Sequence, residues 1–424
     1  MNKRKRKSIS RRSFVQKTTL LAGTAAVGHV ATEGARSVIA NDETTSKPTR
    51  PLLTPASQFG TVARGNPKPH SLQGSALSDA RLTADTWRLE IAADPIVEPP
   101  HIKRAATIEK PRTLADGNAI DLPALMELGK QHGVKFIKAM QCLNISTPLG
   151  QGLWEGVPLR DVLQLCGKMN NVRRIYYWGF HNNDPKQRFQ SSLSYTQVME
   201  TPPDELPAFL AYRLNGEPLP LIRGGPVRIV VPWSHGFKSI KWLRQIRITN
   251  DYRPNDTYAL SNNDPESHLK TAAYLDQIPK QIQSGTSLFI SGQVICGRSG
   301  LQRVEYWLRL ADGGPERIAN DDPRLMRGPW IACQIDGPPS WKTVLPAGVQ
   351  AKDVLGFDQQ TGQPHSWPLR YGLVGYSAEV RGLKPGKYEV RSRAVDLNGF
   401  AQPEPRPYPK SGINSLQVRQ FEVV

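Results

Sequence analysis

The sequence predicts an α+β chain in two parts: a mixed α/β domain, then an all-β sandwich. Up to about residue 258, apolar strand-like runs alternate with helix signals. From about residue 284, only short alternating runs recur, separated by turn residues. A third observation marks where the chemistry belongs. Cys142 follows the apolar run of Val134, Phe136, Ile137, Ala139 and Met140, and precedes Ser146, Thr147, Pro148, Gly150 and Gly152, which predict an irregular loop. A thiol held at a strand end, facing a polar glycine-rich loop, suits a soft metal ligand; free cysteine is also common as inert core. The residues around Cys142 leave both readings open.

The N-terminus predicts export. Lys3 to Lys7 are basic, Ser10-Arg11-Arg12-Ser13-Phe14 follows, and Thr18 to Ala31 is modestly apolar, too short and too weakly so to span a bilayer. Val38-Ile39-Ala40 offers a cleavage site, which puts the mature start near Asn41. The paired arginines resemble twin-arginine export signals, and that route commonly carries folded proteins already holding a cofactor. A basic disordered arm is the alternative, but it gives no reason for the apolar segment that follows. The expected location is the periplasm.

The chain has 424 residues and a formal charge of +18; residues 1–40 hold nine Lys or Arg and one Glu, so the remainder carries +10. Such a surface attracts anions. No zinc-finger or helix-turn-helix spacing points to nucleic acid. Four cysteines, Cys142, Cys166, Cys296 and Cys333, are too few and scattered for a disulfide framework, although an oxidising compartment would permit a Cys296–Cys333 bridge. No CxxCH motif occurs, so no covalent c-type haem is expected on this chain.

Residues 41–82, rich in Pro, Ser, Thr and Gly, predict an extended lead-in laid over a surface, from which Arg64 can reach a site elsewhere. The first domain, 83–258, opens with the alternating strand Trp87–Ile91. Asp121 as N-cap and Pro123 in the first turn predict a helix. The Cys142 strand follows, then a short helix ending by Gly167. A strand from Ile175 to Phe180 runs into His181-Asn182-Asn183-Asp184, and another from Ala208 to Leu214 turns at Asn215-Gly216. The stretch Arg223 to Leu243 has a buried β-branched strand bracketed by Arg223 and Arg228 on one side and by Gly236, Lys238, Ser239 and Lys241 on the other. Glycines that admit a backbone close to a ligand, with cations and a hydroxyl, suit a phosphate.

The order of Gln141-Cys142, Gly156-Val157-Pro158-Leu159 with Asp161-Val162-Leu163, Leu210 to Pro220, Gly224 to Trp233 and Gly236 to Ile246 resembles the molybdopterin-binding domain of the sulfite oxidase family over about 54–258. The resemblance implies that Cys142 ligates molybdenum. It also implies that His181, Arg223, Arg228, Lys238, Ser239, Lys241 and Asn66 surround the pterin and its phosphate, and that Arg64 faces a substrate oxyanion. Two features depart from the family. Its Asn-Arg-Arg run after the cysteine is replaced by Leu143-Asn144-Ile145-Ser146-Thr147, and no counterpart of its active-site tyrosine is evident between Tyr258 and His268.

After a linker at 259–283, residues 284–424 hold the expected strands: Ser287–Ile295, Val304–Leu310, Trp330–Ile335, Val374–Val380, Tyr388–Val395 and Val418–Val423. Gly386 to Gly399 with Gln402-Pro403 resembles the immunoglobulin-like dimerisation domain of the same family, which implies a homodimer and an arginine sent toward the site, Arg419 being nearest. The resemblance as a whole implies an exported molybdenum–molybdopterin oxidoreductase that transfers oxygen to sulfite or a related sulfur compound and passes electrons to an external carrier such as a c-type cytochrome. A sulfoxide-type reductase and a non-catalytic binding module are the alternatives.

Overall fold

Val134–Met140 forms a strand because nearly every side chain along it finds apolar or hydrogen-bonded cover, and its last five residues are buried. It is the edge of a sheet in the order Glu217–Pro218, Phe209–Leu214, Gly150–Pro158, Val134–Met140, with Arg228–Val230 also paired to Phe209–Leu214. The computed structural model describes residues 50–403 and 415–424, apart from Asn144, Asp204, Asn262 and Ser267; the expected export signal lies outside them. No helix among the described residues is long and apolar enough to cross a membrane.

The loop expected after Cys142 is shorter than the glycines suggested, because Gly150–Pro158 is a strand. Its glycines serve close approach instead of irregularity: a Cβ at Gly156 would lie 2.0 Å from the Leu210 carbonyl oxygen of the paired strand. Pro158 then leads into the helix Leu159–Gln164, whose Leu159, Val162 and Leu163 are buried. The helix Leu122–His132 starts as its cap residue requires, with the Ala124 N–H donating to the Asp121 carboxylate at 2.9 Å.

A second sheet runs Ile120–Asp121, Arg88–Ala93, Leu243–Thr249, Arg174–Gly179, Gln190–Ser194, with the Arg88–Ala93 and Leu243–Thr249 pair parallel. The two sheets and the helices share one core that includes Trp87, Leu125, Val157, Tyr177 and Ile229. The lead-in is not wholly extended, since Gly74–Asp79 is a short helix. Before it, the Gly60 N–H donates to the Leu149 carbonyl at 2.6 Å, and Phe59 packs edge-on to Trp154 at 6.1 Å. These contacts lay 54–62 along the sheet edge near Cys142.

The C-terminal part consists of a four-stranded sheet, Ala272–Leu275, Leu288–Ile295, Leu373–Val380, Gln334–Ile335, and a five-stranded one, Gln281–Ile282, Val418–Val423, Gly386–Val395, Arg303–Leu310, Ile331–Ala332. Leu288 and Ile290 of the first sheet share a cluster with Tyr388, Val390 and Phe421 of the second, which makes a sandwich. The strands agree closely with expectation, except that 330–335 is two short pieces and the expected linker already contributes the Ala272–Leu275 strand. Both parts lie within one compact unit, Thr44–Val424. Buried Gln151 joins them: its Nε2 donates to the Leu52 and Leu373 carbonyls, and its Oε1 accepts the Leu373 N–H. The Ala139 N–H also donates to the Tyr371 carbonyl at 2.8 Å.

Candidate active site

Cys142 sits two residues past the last strand residue, half-buried and unpaired; all four cysteines are free thiols. The buried Gln141 side chain fixes the loop by donating from Nε2 to the Cys142 carbonyl at 3.0 Å and the Ile145 carbonyl at 2.5 Å. Cys142 opens into a cleft that is also lined by Arg64, Arg223, Arg228, Ser239, Lys241 and Tyr258.

One cluster in that cleft is basic. Arg228, 4% exposed, donates from Nη1 to the Arg223 carbonyl at 2.8 Å and from Nη2 to the Ser239 carbonyl at 2.5 Å, while its buried Nε has no partner. Lys241 donates to Thr61 Oγ1 at 2.7 Å and to the carbonyls of Val62 and Ile222, each at 3.1 Å. Arg223 donates to the Gly60 carbonyl at 2.6 Å. Carbonyls hold these cations in place without neutralising them, and among the described residues no Asp or Glu lines the cleft. Burial, and then the neighbouring Arg228, Arg223 and Arg64, push Lys241 down to about 7; burial and Arg223 push Arg228 down to about 9. Behind them Lys138, wholly buried, donates to the Ala139 carbonyl at 2.7 Å and is pushed to about 7 by burial and Arg228. Positive charge is concentrated here without a counter-ion, which is the electrostatics of a site for an anion.

The second cluster is aromatic. The Arg64 guanidinium lies 3.6 Å from the centre of the Phe189 ring; Phe189 meets Tyr258 edge-on at 6.1 Å, and Tyr258 stacks on Phe237 at 4.7 Å. Arg64 is partly exposed, yet burial of the guanidinium lowers its pKa, partly offset by Cys142 and Tyr258 nearby.

Residues 79–257 match the family described as "Oxidoreductase molybdopterin binding domain". The sulfite oxidase of Gallus gallus is 32% identical over 261 residues, 59% of this chain and 50% of that protein. Residues 79–257 thus carry an oxidoreductase molybdopterin-binding domain, and the chain is similar to sulfite oxidase across it. Nitrate reductase [NAD(P)H] of Betula pendula is 31% identical over 204 residues, 44% of this chain and 22% of that one. The protein-methionine-sulfoxide reductase catalytic subunit MsrP of Xanthomonas campestris pv. campestris is 32% identical over 126 residues, 26% and 38% of the two. The chain therefore spans half or less of each of these curated relatives. The sulfane dehydrogenase SoxCD of Paracoccus pantotrophus has a TM-score of 0.53 at 17% identity over 87% of this chain and 86% of that one, which establishes a shared fold.

The residues of the cleft fit a molybdopterin. Among the described residues, no group of three or more His, Cys, Asp or Glu could hold a metal, so the chain offers one thiol at a site where an organic dithiolene would complete the coordination. The orphaned Arg228 Nε and the uncompensated Lys241 suit the phosphate of that molecule.

Of the residues named from sequence, the cleft gathers Cys142, Arg64, His181, Arg223, Arg228, Ser239 and Lys241. Two are elsewhere. The Lys238 side chain turns into the core, where its ammonium pairs with Asp256 at 2.7 Å and donates to the Ser192 carbonyl at 2.7 Å, so its charge is already neutralised. Asn66 lies outside the lining, its backbone N–H donating to Gln187 Oε1 at 2.8 Å. Arg419 does not reach the cleft; it donates to the Asp276 and Leu275 carbonyls, and the sandwich touches the Cys142 loop through Gln417, whose Nε2 donates to the Ser146 carbonyl at 2.8 Å.

Sequence reading missed Tyr258. It stands in the helix Thr257–Leu260, where the capping residue Asp256 turns its carboxylate inward to Lys238, Ser191 and Ser192 instead of capping the helix. The Lys238–Asp256 pair thus joins two lining segments, Phe237 to Ser239 and Tyr258. An acid two residues before a tyrosine was the available signal, but its partner is 18 residues away.

Proposed function

We propose that this molybdopterin oxidoreductase is exported and transfers an oxygen atom to sulfite or a related sulfur compound at a Cys142-bound molybdenum, with electrons passed to an external carrier such as a c-type cytochrome. The observation that carries this reading is one half-buried free thiol sharing a cleft with Arg64, Arg223, Arg228 and Lys241, and with no Asp or Glu among the described residues. The cofactor, when bound, supplies the two-electron oxygen-transfer couple. The chain supplies placement. Cys142 anchors the metal from a strand end; Arg223, Arg228, Lys241 and Ser239 hold the phosphate, with His181 on the pterin. Arg64 receives an anionic substrate beside the Tyr258 ring. The sandwich would serve homodimerisation, and the basic N-terminus would direct the folded protein to the periplasm.

A sulfoxide-type reduction on the same cofactor is the second reading, favoured by Leu143 and Ile145 standing where a cation would bind sulfite. The test is protein purified from a host that makes molybdopterin, assayed for molybdenum, for sulfite-dependent reduction of cytochrome c and for viologen-driven sulfoxide reduction. One molybdenum per chain with sulfite-dependent turnover supports the first reading; viologen-driven turnover alone supports the second. Molybdenum well below one per chain contradicts both and leaves a binding module.

A further inference from the structure

The two clusters divide the cleft's charge unequally. Arg223 and Lys241 donate to carbonyls of the 56–62 segment and Arg228 to the Arg223 carbonyl, and Arg223 and Arg228 both lower the Lys241 pKa. Arg64 stands apart from those three on the Phe189 ring, and Leu143, Ile145, Phe237 and Tyr258 line the same cleft. Leu143 and Phe237 are buried, and Phe189 presents its ring as the platform for Arg64.

An inorganic dianion drawn into such a wall loses water on all sides and gains one counter-charge, so half its charge stays uncompensated. A monoanion with an apolar group is matched at both ends: Arg64 takes the charge, and the rings replace the water around the hydrocarbon. Resting on the oxygen-transfer reading above, we infer that the substrate is an organic sulfinate, RSO2−, with R apolar and preferably aromatic. Its sulfur keeps a lone pair while both oxygens can accept from the guanidinium, so it can be held by charge and still present sulfur to the site.

The reaction balances as RSO2− + H2O → RSO3− + 2 H+ + 2 e−. The sulfur lone pair forms the new S–O bond, the oxygen comes from water, two protons leave to solvent, and two electrons pass singly to a one-electron acceptor. Phe189 and Ile145 then determine specificity through R, and Arg64 through the charge.

The test is steady-state oxidation by the molybdenum-loaded enzyme with ferricyanide as acceptor and benzenesulfinate, methanesulfinate or sulfite as donor. The expected result is a KM for benzenesulfinate at least tenfold below those for the other two. Phe189→Ala should raise it at least fivefold more than it raises the KM for methanesulfinate, which loses only the support of Arg64. Ile145→Ser, at a partly exposed position, should shift it in the same direction, so the inference stays testable if the Phe189 variant is unstable. A sulfite KM equal to or below that of benzenesulfinate would overturn the substrate class and leave oxygen transfer to sulfur standing. Oxidation of none of the three by fully loaded enzyme, with viologen-driven sulfoxide reduction intact, would overturn the class together with the oxidative reading.

Discussion

The backbone N–H of Gly236 donates to the carbonyl of Gln141 at 2.7 Å, so the residue before the thiol and the residue before Phe237 are fixed to each other across the cleft. A Cβ on Gly236 would lie 3.3 Å from that same carbonyl oxygen and 3.6 Å from the Met140 sulfur. Gly236→Ala should therefore cost under about 1 kcal/mol, and Gly236→Val about 2 kcal/mol through overpacking. Urea denaturation measures the cost. Molybdenum content should fall with Val and hold with Ala.

The Lys238–Asp256 pair predicts a non-additive series. Lys238→Met or Asp256→Asn alone leaves a buried charge unpaired and should cost about 3–5 kcal/mol. Lys238→Met with Asp256→Leu should recover much of that stability. If the pair also positions Tyr258 and Phe237, the double variant should melt near the wild type yet keep a raised KM. Recovery of both would reduce the pair to a stabilising role.

Lys241 and Lys138 give the apoprotein a pH dependence of known sign. Both have a folded pKa of about 7, below the ordinary lysine value of 10.5, so above pH 7 the unfolded chain binds more protons than the folded one. Stability should then rise with pH from about 7 upward. Buried Cys166 and Cys296, raised to about 11, act in the opposite sense once free thiols ionise near 9, so the window is about pH 7 to 8.5. Thermal melting of apoprotein should increase across it, and the Lys138→Met, Lys241→Met double variant should flatten the slope. An anionic cofactor favours charged Lys241, so cofactor release should quicken over the same interval.

Arg228→Met should separate folding from cofactor retention. The buried guanidinium donates to two carbonyls but to no carboxylate, so its removal should cost the apoprotein about 1–3 kcal/mol and leave it folded, while cofactor content falls at least tenfold, equivalent to about 1.4 kcal/mol. Denaturation of apoprotein and pterin content of purified enzyme measure the two effects.

Local pattern carried most of the fold. The Val134–Met140 strand, the Asp121 cap and the sandwich strands were legible because each depends on alternation or capping within a few residues. The basic cluster was legible because Arg223, Arg228, Ser239 and Lys241 lie within one short stretch. What escaped was long-range. Lys238 looked like its neighbours, but it stands in a bend between two strands and its side chain runs into the core, where Asp256 pairs with it. Tyr258 and Phe189 acquire meaning only through each other and through Arg64, far away in sequence. Gly150 and Gly152 read as loop because their role depends on a neighbouring strand that sequence does not display.

The most direct test of the central claim is molybdenum content and turnover of Cys142→Ser beside wild type, each purified from a host that makes molybdopterin. The side chain is half-buried and unpaired, so the variant should melt within about 2 °C of wild type. The account predicts that this folded variant loses turnover and most of its molybdenum. Full molybdenum occupancy with undiminished turnover would contradict it.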